Sequence, residues 1–261
     1  MTGKLRQGAS NLAGISLIAL VWYGVSLFTP AYILPRPETV VARIWEWGLD
    51  APSLASYGLT ASGLLPNLWV TMQTVVASQL LALSIGVPLG LASANHSRLR
   101  AAINPIVMTG TTVPILVLAP FFLVWFGVGR TTSVLLVLLY GISLFTIYSQ
   151  RAGRALSPVY ADSARALGAS RWRVLRDVLF PAAVPAIIGA LRVSLSGAWG
   201  LAAIAELLGA SSGTGVMIRV LVGQFDVVGL MAVIILICAV ALFADFLVFL
   251  LGRLLLRWRA E

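Results

Sequence analysis

Long apolar segments separated by short polar connections dominate the pattern of this chain. Stretches of about 20 apolar residues can cross a bilayer as helices, whereas the strands of a membrane barrel are about ten residues long and alternate in polarity. The pattern therefore predicts an all-α, polytopic membrane protein that forms a single transmembrane domain over residues 1–261. About six spans are expected: Leu12–Phe28, Leu68–Ala94, Ala101–Phe126, Thr132–Gln150, Ala182–Ala205 and Val227–Leu256.

Composition agrees with this pattern. The chain is 59% hydrophobic and only 10% charged, and its mean hydropathy is +0.97, a balance that a water-soluble domain does not need. The single cysteine, Cys238, lies within the last predicted span, so the sequence excludes an intrachain disulfide and a cysteine metal cluster.

Positive charges collect on one side of the predicted topology. Most of the 18 Lys and Arg residues lie before the first span, between spans two and three, between spans four and five, or at the carboxyl end. Because positively charged loops stay in the cytoplasm, both termini are expected there. The net charge of +9 therefore has a membrane explanation, and no nucleic-acid-binding motif accompanies it.

The extracytoplasmic segment 30–66 contains five prolines that rule out a continuous span. Within it, Pro37–Trp47 has the period of a short amphipathic helix. Its apolar side is expected to carry Val40, Val41, Ile44 and Trp47. Two positions remain open for this helix: the membrane interface, or the surface of the chain's own spans.

A basic segment between spans four and five, residues 157–181, is too polar for lipid and too regular for a passive connector. Ser157 followed by Pro158 favours a helix start, with the serine as N-cap, and the helix should run to about Leu167. Gly168 suits the left-handed position that ends a helix, and Ser170 can cap a second helix rich in arginine. The segment therefore predicts a cytoplasmic helix-turn-helix elbow.

The first arm of this elbow places small residues about one turn apart, at Ala161, Ala164 and Gly168. Such a face allows another protein to dock closely, with Asp162 and Arg165 at its polar rim. The alternative is a basic anchor that only touches anionic lipid headgroups.

The elbow resembles a loop found in the membrane subunits of bacterial ABC importers. That loop has the pattern E-A-A, three residues, G, nine residues, I-x-L-P. Here Asp162, Ser163 and Ala164 occupy the triplet and Gly168 the glycine, while Val178, Phe180 and Pro181 stand at the close with the spacing kept. Three further stretches are similar to the branch of permeases for nitrate, sulfonate, taurine and bicarbonate: LPRPETV from Leu34, GALRVSLSGAWG from Gly189 and ELLGASSGTG from Glu206.

The resemblance implies a type I ABC importer permease fold whose elbow is the coupling helix. It implies two copies of a cytoplasmic ABC ATPase, a second permease copy and an extracytoplasmic solute-binding protein, all at a bacterial inner membrane. ATP and Mg would be bound by the ATPase, since this chain has no G-x-x-x-x-G-K-[ST] phosphate loop and is not expected to be an enzyme. The expected ATPase-coupling residues are Ala161, Asp162, Ser163, Ala164, Arg165, Leu167, Gly168 and Pro181.

Three ionisable residues lie in or near predicted spans: Arg192, Glu206 and Asp245. Charges in lipid cost several kcal/mol, so each should face a partner or a water-filled path. Arg192 and Glu206 are the candidate path residues, Arg192 because it could attract an anion and Glu206 because it should lie near the outer mouth. The alternative for Arg192 is a structural ion pair with Asp245 or Glu206.

The function expected from the sequence is import of a small anionic or zwitterionic solute. A different class of function would be a non-transporting membrane scaffold whose basic elbow recruits another cytoplasmic protein. The sequence leaves open the identity of the solute and whether the second permease is a copy of this chain.

Overall fold

The computed structural model describes the backbone of residues 2–55 and 63–257, and their side chains except those of residues 2–12, 15, 53 and 55. Three charges used for the orientation, Lys4, Arg6 and Arg259, lie outside the described side chains. All regular structure in the described ranges is helical. The helices are α1 (Thr2–Phe28), α2 (Pro37–Glu46), α3 (Pro52–Ala55), α4 (Leu64–Asn95), α5 (Ser97–Thr112), α6 (Ala119–Phe126), α7 (Arg130–Ala155), α8 (Pro158–Ala166), α9 (Arg171–Arg173), α10 (Phe180–Gly209), α11 (Thr214–Gly223) and α12 (Val227–Leu255).

Among the described residues, four helical rods are long and apolar enough to cross a membrane. They are α4, α7, α12 and the rod Arg171–Gly209, in which a π turn at Val174–Leu179 joins α9 to α10. These rods confirm the predicted second, fourth, fifth and sixth spans. In α1, the stretch Ser16–Phe28 forms a shorter apolar helix.

The predicted third span, Ala101–Phe126, is wrong as a single helix. It consists of α5, a 3-10 turn at Ile115–Leu118 and α6, and the two arms meet at 94°. Pro114 causes the break, because it carries no backbone N–H and forces the preceding Val113 into an extended conformation, with φ −76° and ψ 125°. Pro105 lies inside α5 without ending it.

The core of the fold is the crossing of α4 and α7. Gly86 and Gly90 of α4 face the backbone of α7, and a Cβ built on Gly86 would lie 2.7 Å from the Cβ of Phe145. At Gly90 the corresponding distance to the carbonyl oxygen of Thr146 would be 2.5 Å. The pair of small residues therefore lets the helices touch through their backbones.

Helix α2 packs on the chain's own helices α11 and α12. Val40 is fully buried and Trp47 is 8% exposed, in a cluster that includes Met217 of α11 and Val233 of α12. Val41, expected on the same side, is instead 64% exposed, because successive helical residues lie about 100° apart. The placement of α2 at a membrane interface stays a prediction.

Gly90→Ala should destabilise the protein, because the added methyl would press on the Thr146 carbonyl and overpacking of this kind costs about 1–3 kcal/mol. The measurement is the apparent melting temperature of the purified protein in detergent, which we expect to fall by several degrees. Gly189→Ala is the matched control, since a Cβ at this helical position in α10 meets nothing within 4 Å. Equal melting temperatures for the two variants would contradict the close crossing.

Candidate functional site

The elbow folds much as the sequence predicts. Helix α8 ends at Ala166, and Gly168 adopts a left-handed φ of +84°. The Ala169 N–H then donates to the Ala164 carbonyl at 3.0 Å and the Gly168 N–H to the Arg165 carbonyl at 2.9 Å. These two hydrogen bonds form a Schellman motif, which satisfies carbonyl groups at the helix end. They confirm the prediction that Gly168 ends the helix in a left-handed conformation.

The two serine caps differ. Ser170 caps the second helix as predicted, because its Oγ accepts a hydrogen bond from the Arg173 N–H at 3.3 Å. Ser157 makes no such side-chain bond, so its predicted N-cap role is wrong; only its backbone carbonyl accepts, from the Tyr160 N–H at 3.2 Å. Pro158 is still the first helical residue of α8, a position that needs no N–H donor.

A continuous rod carries the elbow into the membrane. Within the π turn the Phe180 N–H donates to the Leu175 carbonyl, five residues back. Pro181 follows, and the wider turn accommodates a residue that cannot donate. Helical structure therefore runs from Arg171 beside the elbow to Gly209 at the far end of α10 without a break.

The side chains of α8 divide into two faces. Ala161 and Ala164 are half-buried, and Ala161 lines a polar groove that α8 forms with the ends of α4 and α7. On the open side, Val159 is 66% exposed, Tyr160 61% and Leu167 89%. Among the predicted coupling residues, Ser163 and Gly168 are also exposed.

The surface of the elbow available to a partner is therefore more apolar than the sequence analysis expected. Sequence reasoning missed Val159 and Tyr160; their signal is the i, i+1, i+4, i+8 spacing that places Val159, Tyr160, Ser163 and Leu167 on one face of a helix. The docking roles of the predicted residues stay predictions.

Two polar residues of α8 connect it to the rest of the molecule. Arg165 Nη1 lies 2.9 Å from Asp162 Oδ1, and Arg165 Nη2 donates to Asn95 Oδ1 at 3.3 Å. Asn95 is the last residue of α4. The Asp162–Arg165 pair thus ties the elbow to the end of a span of the central crossing.

Arg192 forms an ion pair with Asp245 across α10 and α12. Arg192 Nε donates to Asp245 Oδ1 and Nη2 to Oδ2, both at 2.7 Å. This bidentate geometry is the strongest arrangement of the two groups. The sequence analysis left open an ion pair of Arg192 with Asp245 or with Glu206. The structure has the pair with Asp245 and not the pair with Glu206. A role of Arg192 in the path stays a prediction.

Glu206 lies near the carboxyl end of α10, away from the elbow, and is 2% exposed. Its Oε2 accepts hydrogen bonds from Thr71 Oγ1 at 2.7 Å and from the Gly215 N–H at 3.1 Å. Thr71 Oγ1 in turn accepts from the Thr214 N–H at 2.9 Å. One carboxylate therefore connects α4, α10 and the start of α11.

The turn between α10 and α11 fits around this carboxylate. Gly213 has a φ of +110°, and a side chain there would collide with the Glu206 carboxylate. The Gly213 N–H donates to Asn67 Oδ1 at 2.9 Å, which adds a second link to α4. A cavity of about 30 Å³, lined in part by Glu206 and Arg130, adjoins the turn and can hold one water molecule.

The sequence analysis did not predict the hydrogen-bond partners of Glu206, which are Thr71 of α4 and Gly215 of α11. Glu206 lies in the last turn of α10, at the end of the rod opposite the elbow, and its expected position near the outer mouth stays a prediction. Its role in the path stays a prediction.

A groove of about 340 Å³ lies where the third predicted span breaks. Pro114 and Thr111 line it from the break, Tyr140 from α7, and Gly197 and Leu201 from α10. This arrangement requires Gly197, because a Cβ there would collide with the Tyr140 hydroxyl. We call the groove between these residues the central groove.

The central groove lies near the middle of the long helices α7 and α10. Tyr140 is ten residues from the start of α7 and Gly197 twelve from the end of α10, or about 15 and 18 Å from those ends at 1.5 Å per residue. Hydroxyls of Thr111 and Tyr140 are the polar groups that it offers. Sequence reasoning missed this groove, although the third predicted span contains three prolines, Pro105, Pro114 and Pro120, and prolines can break a helix.

Nothing in the described part of the chain suggests a metal centre, since no three His, Cys, Asp or Glu side chains converge there. The chemistry available is therefore that of a docking surface, a broken span with a mostly apolar groove that carries two hydroxyls, and charges fixed by partners.

Comparison with known proteins identifies the family. The model of the binding-protein-dependent transport system inner membrane components matches residues 86–259. A taurine transport system permease of Escherichia coli is 28% identical over 82% of this chain and 76% of its own length. A riboflavin transport system permease of Chloroflexus aurantiacus is 30% identical over 95% and 89%, and a putative aliphatic sulfonates transport permease of Bacillus subtilis is 31% identical over 98% and 90%.

A solved structure shares the fold. The chain matches part of an inward-facing methionine ABC transporter with a TM-score of 0.63 and 19% sequence identity, over 74% of this chain and 95% of that one. This likeness confirms the predicted type I importer permease fold. The family confirms a transport subunit over an enzyme or a scaffold. The chain thus belongs to the binding-protein-dependent transport system inner membrane components, and it is a multi-pass permease subunit of an ABC transporter.

Proposed function

We propose that two copies of this chain form the path through which an ATP-driven importer moves a small anionic or zwitterionic solute. The observation that carries the proposal is the rod Arg171–Gly209, which begins at the elbow and lines the central groove through Gly197 and Leu201. Because helical structure is continuous over this length, a displacement of the elbow moves the wall of the groove.

The elbow is the proposed contact with two cytoplasmic ABC ATPases, one for each copy. ATP and Mg are bound and used on those partners, and nucleotide-driven closure brings the two elbows together. The exposed apolar side chains Tyr160 and Leu167 support the docking surface, with Ser163 beside them and Gly168 setting the turn. Pro181 and the π turn set the angle between the elbow and the span.

The second copy is proposed to close the central groove. Helix α6 follows the 3-10 turn whose Ile115 and Leu116 line the groove, and its apolar side chains are exposed, with Val124 82% and Trp125 70% exposed. A second copy packed against α6 would cover this apolar surface. Enclosure by two copies would make one central chamber from two equal halves.

Orientation follows from the charges of the connecting segments. Arg98 and Arg100, together with the arginines of the elbow, lie at one end of the spans, while Arg130 begins α7 at the other end. We propose that the arginine-rich end and both termini face the cytoplasm of a bacterial cell, and that a solute-binding protein docks at the opposite end.

The solute class rests on two relatives, the taurine and aliphatic sulfonate permeases, whose named solutes carry a sulfonate group. The riboflavin permease is equally similar in sequence, so the family itself admits larger solutes. The central groove, of about 340 Å³ in each copy, has room for a small sulfonate, so the choice of solute class rests on these relatives.

Reconstitution tests this function. The permease, its ATPase and the candidate binding protein are placed in liposomes, and ATP hydrolysis is measured with taurine, an alkanesulfonate, nitrate or riboflavin. We expect loaded binding protein to stimulate hydrolysis several-fold with an anionic or zwitterionic solute. Stimulation by riboflavin alone would overturn the solute class, and a permease that fails to hold the ATPase would overturn the docking surface.

Replacement of Gly168 tests the coupling. Gly168→Val places a β-branched residue at φ +84°, a strain of about 1–2 kcal/mol or more. We expect normal membrane insertion with a roughly tenfold loss of uptake, because 1.4 kcal/mol is a factor of ten in the population of the correct elbow. Gly168→Asn is the control, since asparagine tolerates the left-handed region, and it should keep most uptake. Normal uptake by the valine variant would refute the assignment.

A charge swap separates the two roles of Arg192. Arg192→Gln leaves Asp245 without its partner, and the amount of folded protein should fall several-fold. The double variant R192D/D245R rebuilds the pair, so we expect it to restore both folded protein and uptake per folded molecule. Folding measured by gel filtration, together with uptake in vesicles, checks this. Restored folding with uptake still low would instead place the Arg192 charge in the path.

A further inference from the structure

A second groove, of about 600 Å³, lies on the outside of the fold between α10 and α12. Its floor is the contact of the two helices, where a Cβ built on Gly252 would lie 3.2 Å from Ile188 Cγ2. Phe249 forms a wall, and three cations, Arg192, Arg253 and Arg257, line the rest. We call this the arginine groove.

The charges of the arginine groove are unbalanced. Asp245 neutralises Arg192, but neither Arg253 nor Arg257 has a carboxylate within 4.0 Å among the described residues. The guanidinium of Arg253 is held over the ring of Phe249, 4.7 Å from its centroid. A cation–π contact of this kind fixes the position of the charge without reducing it. The groove thus keeps two positive charges above an apolar floor.

The depth of these charges matches the headgroup region. Helix α12 is 29 residues long, so its midpoint is near Ala241. At 1.5 Å per residue, Asp245 lies about 6 Å and Arg253 about 18 Å from that midpoint, toward the carboxyl end. Half of the hydrocarbon thickness is about 15 Å, so Arg253 lies at the level of lipid phosphates.

The wall around the groove faces lipid. In α12 the most apolar window has a mean hydropathy of 3.1 and is only 17% buried, the lowest burial among the four long rods. Leu251 and Leu254, on either side of Arg253, are 53% and 54% exposed. An apolar helix so little covered by its own chain is a surface for acyl chains.

We propose that the arginine groove binds one anionic phospholipid of the leaflet at the carboxyl end of α12. The phosphate accepts hydrogen bonds from the guanidinium groups of Arg253 and Arg257, and an acyl chain lies along Phe249 and Ile188. Basic pockets between transmembrane helices are known to hold anionic headgroups in this way. The inference does not depend on transport activity.

The test uses the full-length permease in nanodiscs of phosphatidylcholine with spin-labelled phosphatidylglycerol or spin-labelled phosphatidylcholine. The immobilised fraction of each label, measured by electron paramagnetic resonance, gives the relative affinity. We expect a several-fold preference for phosphatidylglycerol that falls close to one in R253Q/R257Q and persists in R253K/R257K. The matched control R98Q/R151Q removes the same charge from exposed sites elsewhere and should keep the preference.

Several outcomes overturn the proposal. An equal preference in the wild-type protein and R253Q/R257Q is one. Displacement of the lipid label by inorganic phosphate at moderate concentration would make the groove a site for the free anion. A disulfide between two copies of Arg253→Cys, in a Cys238→Ala background, would place a second permease there. If the double variant does not fold, R257Q alone gives the same test, because Arg257 lies beyond the end of α12.

Discussion

The backbone contact between α4 and α7 is the constraint on which the rest of the structure depends. In lipid, apolar side chains gain little from meeting each other, so helices associate where small residues allow close approach. Gly86 and Gly90 provide that approach. Because α4 carries Asn67 and Thr71 near one end and Asn95 at the other, its position fixes both the turn around Glu206 and the anchor of the elbow at Arg165.

Two ionisable groups of α10, Glu206 and Arg192, lie where partners from other helices reach them. Glu206 at the carboxyl end of α10 has hydroxyl and amide donors, and Arg192 has the carboxylate of Asp245. A charge at membrane depth is expensive, and a partner removes much of that cost while it fixes the register of two helices. These polar side chains thus fix the relative position of helices whose apolar surfaces alone would not determine it.

The sequence predicts best those features that depend on local chemistry. The turn at Gly168 and the cap at Ser170 follow from backbone preferences of single residues. The break of the third span does not, because Pro105 lies within a helix and Pro114 ends one, although both are prolines in apolar surroundings. The partners of Glu206 could not be predicted either, since Thr71 is 135 positions away in the sequence and only the tertiary fold brings them together.

The Glu206 network also has a consequence for how the chain assembles during synthesis. Its acceptor and donors are made in a fixed sequence: α4 with Thr71 leaves the ribosome long before α10 with Glu206, and α11 follows last. The Glu206 carboxyl group therefore enters the membrane after its partner Thr71, and the turn between α10 and α11 forms last. Assembly of this end of the fold thus follows the order of synthesis, and α4 positions α10 and α11 as they arrive.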